Sequence, residues 1–151
     1  MINTKAIYSK FENMEVVFIM ERSESRLRDI SFRSLKNGCV VTVHNARARK
    51  VALLFESDEN VIRYQTDVPV KYVDGCIDTK GIRSAFLDDR WRSDFLVEKT
   101  DGLKEVYEVT SKSFLERRAT VEKYELSRRY WEAQNINKWS LYIVAEEETQ
   151  W

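Results

Sequence analysis

One histidine, one proline, two cysteines and four glycines are all that the 151 residues contain of those types, and each scarcity narrows the field. With His44 as the only imidazole, a histidine-rich metal centre is excluded, and a Ser-His-Asp triad is disfavoured. Cys39 and Cys76 are too few for a disulfide framework or a zinc site. So little proline and glycine leaves no flexible linker, and no internal repeat or domain boundary is visible. There is no surplus of charge: 25 Lys and Arg balance 25 Asp and Glu. Contact with nucleic acid would therefore come from a local basic patch, not from the overall field. No apolar run is long enough to span a membrane, and the opening MINTKAIYSK lacks the apolar core of a signal peptide. The expectation is a soluble, cytoplasmic protein.

What is present is an ordinary globular share of hydrophobic residues, 43%, enough for one domain with one core. The most informative stretch is Ser93–Lys112. Asp94 to Val97 reads as a strand, Thr100-Asp101-Gly102 as a tight turn, and Glu105 to Val109 as the returning strand, because Asp-Gly tolerates the positive φ of hairpin turns. In such a hairpin Asp94 and Glu108 can lie across from each other. Two carboxylates held together call for compensation, commonly a divalent cation. The alternative is a pair of solvated edge residues.

Before the hairpin, Glu15 to Met20 is a short apolar run compatible with strand or helix. Arg22 to Arg33 reads as an exposed connector or partner-binding arm. Asn37-Gly38 marks a turn into the strand Cys39 to Val43. Asn45 is positioned to cap a helix from Ala46 to Glu56, with Val51, Leu54 and Phe55 facing the core. Arg47, Arg49 and Lys50 then line the other face, either as a solvated surface or as a phosphate-contacting patch. Val61–Tyr64 and Val68–Val73 read as two extended segments, with Pro69 at a sheet edge or a strand start. Asp74 to Arg90 reads as a long excursion; Asp88 and Asp89 at its end are either a solvated acidic turn or further metal ligands. After the hairpin, Ser111 or Ser113 caps a long helix to about Asn135, with an apolar stripe of Leu115, Val121, Tyr124 and Trp131. Trp139 to Val144 then forms a strand, which makes the helix a crossover within one sheet.

This order of helix, acidic hairpin, helix and strand looks like the core of the PD-(D/E)xK nucleases. The likeness is most specific over Glu122 to Trp131, with Asn135-Ile136 and Trp139. That segment is similar to the one following the catalytic motif of the TnsA family, the endonuclease subunits of heteromeric cut-and-paste transposons. Ser93 to Val97 with Asp101-Gly102 also resembles the family's first catalytic strand and turn. The similarity covers roughly Asn37 to Glu148. It implies an α/β fold: a mixed central β-sheet flanked by helices, restriction-endonuclease-like. It implies a nuclease-fold domain over residues 37–151, preceded by an N-terminal arm or extension over 1–36.

The resemblance also implies chemistry. In that family a helix Glu and a hairpin Asp hold Mg²⁺, which Mn²⁺ can replace. A Glu or Gln two residues before a Lys completes the motif, and the Lys activates the attacking water. Carried onto this chain, the Asp is Asp94 and the Glu is Glu108. The helix acid falls on Ala48 and the lysine on Thr110, neither of which can do the work. Two functions follow as expectations. One is a module that has lost or impaired cleavage and binds DNA or a transposase-like partner in a transposition, mobile-element or phage setting, with Arg47, Arg49 and Lys50 near phosphate. The other is an active Mg²⁺-dependent endonuclease whose rearranged site uses Asp94 and Glu108 as metal ligands, joined by Glu56 or Asp88, with Lys112 as the migrated lysine.

Overall fold

The computed structural model describes residues 16–21, 29–70, 75–87 and 91–146. In chain order these form β1 (Val16–Glu21), β2 (Ile30–Ser34), β3 (Cys39–Val43), α1 (Ala46–Ser57), β4 (Val61–Pro69), α2 (Ser84–Leu87), β5 (Arg92–Lys99), β6 (Lys104–Ser111), α3 (Lys112–Leu115), α4 (Arg118–Ala133) and β7 (Lys138–Glu146). Five strands make one mixed sheet in the order β1-β7-β6-β5-β4, and β2 with β3 makes a separate antiparallel pair. The α/β class with a mixed sheet flanked by helices is as expected. Among the described residues no helix is long and apolar enough to cross a membrane.

The hairpin is the centre of the sheet. Gly102 takes φ 83° and its N–H reaches the Lys99 carbonyl at 3.0 Å. This is the left-handed turn geometry that glycine adopts at no steric cost. β6 then pairs in parallel with β7, and α4 makes the connection between them. A parallel pair needs such a crossover because no tight turn can reverse the chain twice.

Two cores lie on the two faces of the sheet. On one, α1 packs Ala48, Val51, Ala52 and Phe55 against Val61, Tyr64, Phe95, Val97, Tyr107 and Val144. Phe55 meets the rings of Phe95 and Tyr107 at centroid distances of 5.1 and 5.2 Å. On the other face, Leu115 and Trp131 cover Val106, Trp139, Leu141 and Ile143.

Several expectations are corrected. Leu54 is 42% exposed; the buried stripe of α1 runs 48-51-52-55, and Leu54 lies about 100° round the helix from Phe55. Residues from Val61 to Pro69 form one continuous edge strand, not two segments, and Pro69 is its last residue. There its missing N–H costs no ladder bond. The expected single helix from Ser111 to Asn135 is two, because Arg117 is extended at φ −89°, ψ 122°. No glycine or proline marks that break; burial of Leu115 beneath the sheet turns the chain there. Within residues 1–36, Val16–Glu21 pairs in parallel with β7 and Ile30–Ser34 pairs with β3. Residues 22–28, Lys71 to Asp74, and Asp88 and Asp89 lie outside the described residues.

The α1 cap has a measurable consequence. The Asn45 side-chain oxygen accepts the Ala48 N–H at 2.8 Å, satisfying a donor that no helical carbonyl can reach. Asn45→Ala is expected to lower stability by about 1 kcal/mol, read from urea unfolding.

Candidate functional site

Asp94 and Glu108 meet where the hairpin strands part. The last paired residues are Phe95 and Tyr107, and the next step of that register sets Asp94 opposite Glu108. Backbone pairing stops there and the carboxyls take over the ladder. Glu108 Oε2 accepts the Asp94 N–H at 3.3 Å, and Asp94 Oδ2 accepts the Val109 N–H at 2.7 Å. The parting has a local cause. Phe95 faces α1, whereas Ser93, two residues earlier, bonds residues of α4 on the opposite face. The in-out alternation is therefore broken between them. Across the gap, Asp67 adopts φ 53°, a left-handed conformation that Asp tolerates better than most residues.

Glu108 is 2% exposed. Its Oε1 accepts the Ser127 hydroxyl at 2.8 Å. Ser127 in turn accepts the Trp139 indole N–H at 3.0 Å, and the Trp131 indole N–H reaches Ser93 at 2.9 Å. Trp139 thus fixes the hydroxyl that holds the carboxyl, and Trp131 fixes the neighbouring Ser93, 3.4 Å from Ser127. The stripe Tyr124, Ser127, Trp131 on α4 contained the signal: a serine at helical spacing between aromatics needs a buried partner. Neither Ser93 nor Ser127 stands among the candidate site residues of the sequence, where Trp131 is read as packing and Trp139 as the start of a strand.

The two carboxyl groups are neighbours: Glu108 accepts the backbone N–H of Asp94, and Asp94 accepts that of Val109, next to Glu108. Asp94 keeps some accessible surface, but its carboxyl is walled in like an interior group, and the crowding governs its proton. Burial pushes Asp94 up to about 6 against gains from its hydrogen bonds. Burial, then the Asp94 charge, pushes Glu108 well above the carboxylate range. Close carboxyls without a cation share a proton.

Ala48 is 4% exposed and lines the cleft that holds Asp94, Asp67, His44 and Phe95. The helix position from which the resemblance removes an acid therefore faces the hairpin acid. Thr110 is buried on β6, two residues beyond Glu108. Lys112 is exposed and begins α3, beyond the end of β6, so strand geometry does not carry it to the face of Thr110. Glu56 is no third ligand. It lies eight residues from Ala48, about 12 Å along α1, and accepts the Tyr64 hydroxyl at 2.7 Å and the Lys36 N–H at 3.3 Å. Arg47, Arg49 and Lys50 do not form one solvated face: Arg47 is buried over the Phe114 ring while Arg49 is exposed.

His44 enters the same cleft unannounced. Its Nδ1 is 2.8 Å from Asp29 and its Nε2 3.2 Å from Asp67. Hydrogen bonds to Asp29 and then Asp67 raise its pKa. This clamp ties the segment before β2 to β4.

A divalent cation would find a poor donor set. Three of the four Asp94 and Glu108 carboxyl oxygens already accept protein N–H or O–H groups, and Ala48 offers none. Among the described residues no group of three or more His, Cys, Asp and Glu side chains is arranged to hold a metal ion. The constellation fits a shared proton better than resident Mg²⁺ or Mn²⁺. No family model and no curated protein matches this chain.

Proposed function

We propose that this chain is a TnsA-like, restriction-endonuclease-like protein that has given up DNA cleavage and works by binding DNA or a transposase-like partner in a mobile-element or phage setting. One observation supports this reading above the others: Ala48 lines the cleft of Asp94. In the family pattern a third oxygen ligand belongs there, and a methyl group cannot supply it. The loss at Thr110 points the same way, since a buried threonine brings no positive charge to a developing phosphorane. The remaining acids serve the fold, closing the ladder where β5 and β6 separate.

Losing one transition-state group typically costs orders of magnitude in rate, and two such losses leave little. With supercoiled plasmid and Mg²⁺ or Mn²⁺, the expected result is no nicking above background, while a labelled duplex is still retained in a fluorescence anisotropy titration. Nicking that disappears in Asp94→Ala would overturn the proposal in favour of an endonuclease with a rearranged site.

A further inference from the structure

Two helices begin with arginine where helix physics favours acid. α1 opens Ala46-Arg47-Ala48-Arg49, α4 opens on Arg118 directly after Arg117, and neither has an acidic residue in its first turn. A cation at the positive end of a helix dipole is unfavourable. Arg47 and Arg117 also share one aromatic neighbour. Each guanidinium carbon lies 5.1 Å from the centroid of the same ring, Phe114. The ring's quadrupole attracts each cation but neutralises neither.

Arg47 is the decisive residue. It is more than nine-tenths buried, at 8% exposure. Among the described residues it makes no hydrogen bond or ion pair; its one contact of this kind is the ring. Charged side chains are almost never so buried unless paired. The arginines of α4 show the usual solution: Arg128 and Arg129 both bond Glu125, and Arg118 pairs with Glu122. Arg47 keeps 8% of its surface exposed, so the side chain is not fully sealed in. Lys112 is exposed on α3, two residues before Phe114 in the sequence.

We propose that Arg47 and Arg117, stacked on Phe114, form an anion site that takes a phosphoryl group. The planar guanidinium fork matches two phosphate oxygens at once, which an ammonium cannot do. A bound phosphate supplies the acceptors that Arg47 lacks and the negative charge that both helix starts favour. The Tyr124 hydroxyl, which feels the charge of Arg47, donates to the Val109 carbonyl at 3.3 Å. This deepens the DNA-binding reading and rests on it only for the source of the phosphoryl group, a nucleic-acid backbone as opposed to free phosphate.

The test uses the full chain, Arg47→Gln, Arg117→Gln and Arg117→Lys, with circular dichroism to confirm folding of the Arg47 variant. Inorganic phosphate is titrated calorimetrically against chloride at matched ionic strength, and a labelled DNA duplex by anisotropy over a salt series. The expected result is phosphate binding weakened at least tenfold in both glutamine variants and partly kept in Arg117→Lys. For DNA, the log–log salt slope is expected to fall by about 1 for each arginine removed. Phosphate binding through these arginines without DNA binding would support the site and overturn the DNA reading. DNA binding with affinity and slope unchanged in both glutamine variants would overturn the site and leave the DNA reading standing. No binding of either probe would overturn both.

Discussion

Glu108→Gln is expected to stabilise the protein at pH 8 and to change it little near pH 4. Asp94 and Glu108 both hold their protons more tightly folded than unfolded. The stability they contribute is complete below the unfolded carboxyl range and is lost as pH rises through the folded values, about 6 for Asp94 and well above the ordinary carboxyl value for Glu108. For Asp94 the rise from 3.8 to about 6 corresponds to roughly 3 kcal/mol as an upper bound. Glutamine keeps the shape of Glu108 and removes one charge. Its carbonyl can accept the Asp94 N–H while its amide faces Ser127, whose hydroxyl can turn toward Ser93 at 3.4 Å. The expected gain is about 1–3 kcal/mol at pH 8, read from urea unfolding at pH 4 and pH 8. An equal loss at both values would mean that Glu108 works ionised and paired, and the shared-proton account would fail.

Ala48→Glu acts in the opposite direction and then reverses. It adds a third carboxyl to a cleft that already crowds Asp94. In the presence of a chelator the expected cost is about 3 kcal/mol, since a like charge is being buried without a partner. With Mn²⁺ at about 100 times its dissociation constant, about 2.7 kcal/mol returns. In a chain of this size that is a rise of roughly 5–10 °C in melting temperature. Adding Thr110→Lys supplies the missing charge, and plasmid nicking is expected to appear in the double variant alone. A substituted protein indifferent to Mn²⁺ would show that Ala48 does not occupy the missing ligand position.

The elements near the site were legible because their signals are local. Asp-Gly fixed the hairpin turn, Asn45 the start of α1, and the sum of positions across the turn the meeting of Asp94 with Glu108. What escaped was tertiary. Val68 to Pro69 continues β4 because the edge strand finds β5 beside it, which no propensity within the segment announces. The break at Arg117 depends on where Leu115 is buried. Arg47 looked like surface charge because helical spacing shows which residues share a face, not that Phe114 will arrive over that face from α3. The clamp of His44 between Asp29 and Asp67 joins residues from three separate segments, and sequence spacing holds no trace of it. The role of Ser127 was readable in principle from its place between Tyr124 and Trp131.

The central claim is that the paired carboxyls of β5 and β6 keep a shared proton and do not hold a metal ion. The most direct measurement is the melting temperature of the unmodified protein at pH 5 and pH 8, each with chelator and with millimolar Mn²⁺. The account expects the melting temperature to be lower at pH 8 than at pH 5, with no response to Mn²⁺ at either value. A rise of several degrees on adding Mn²⁺ at pH 8, absent from Asp94→Asn, would contradict it.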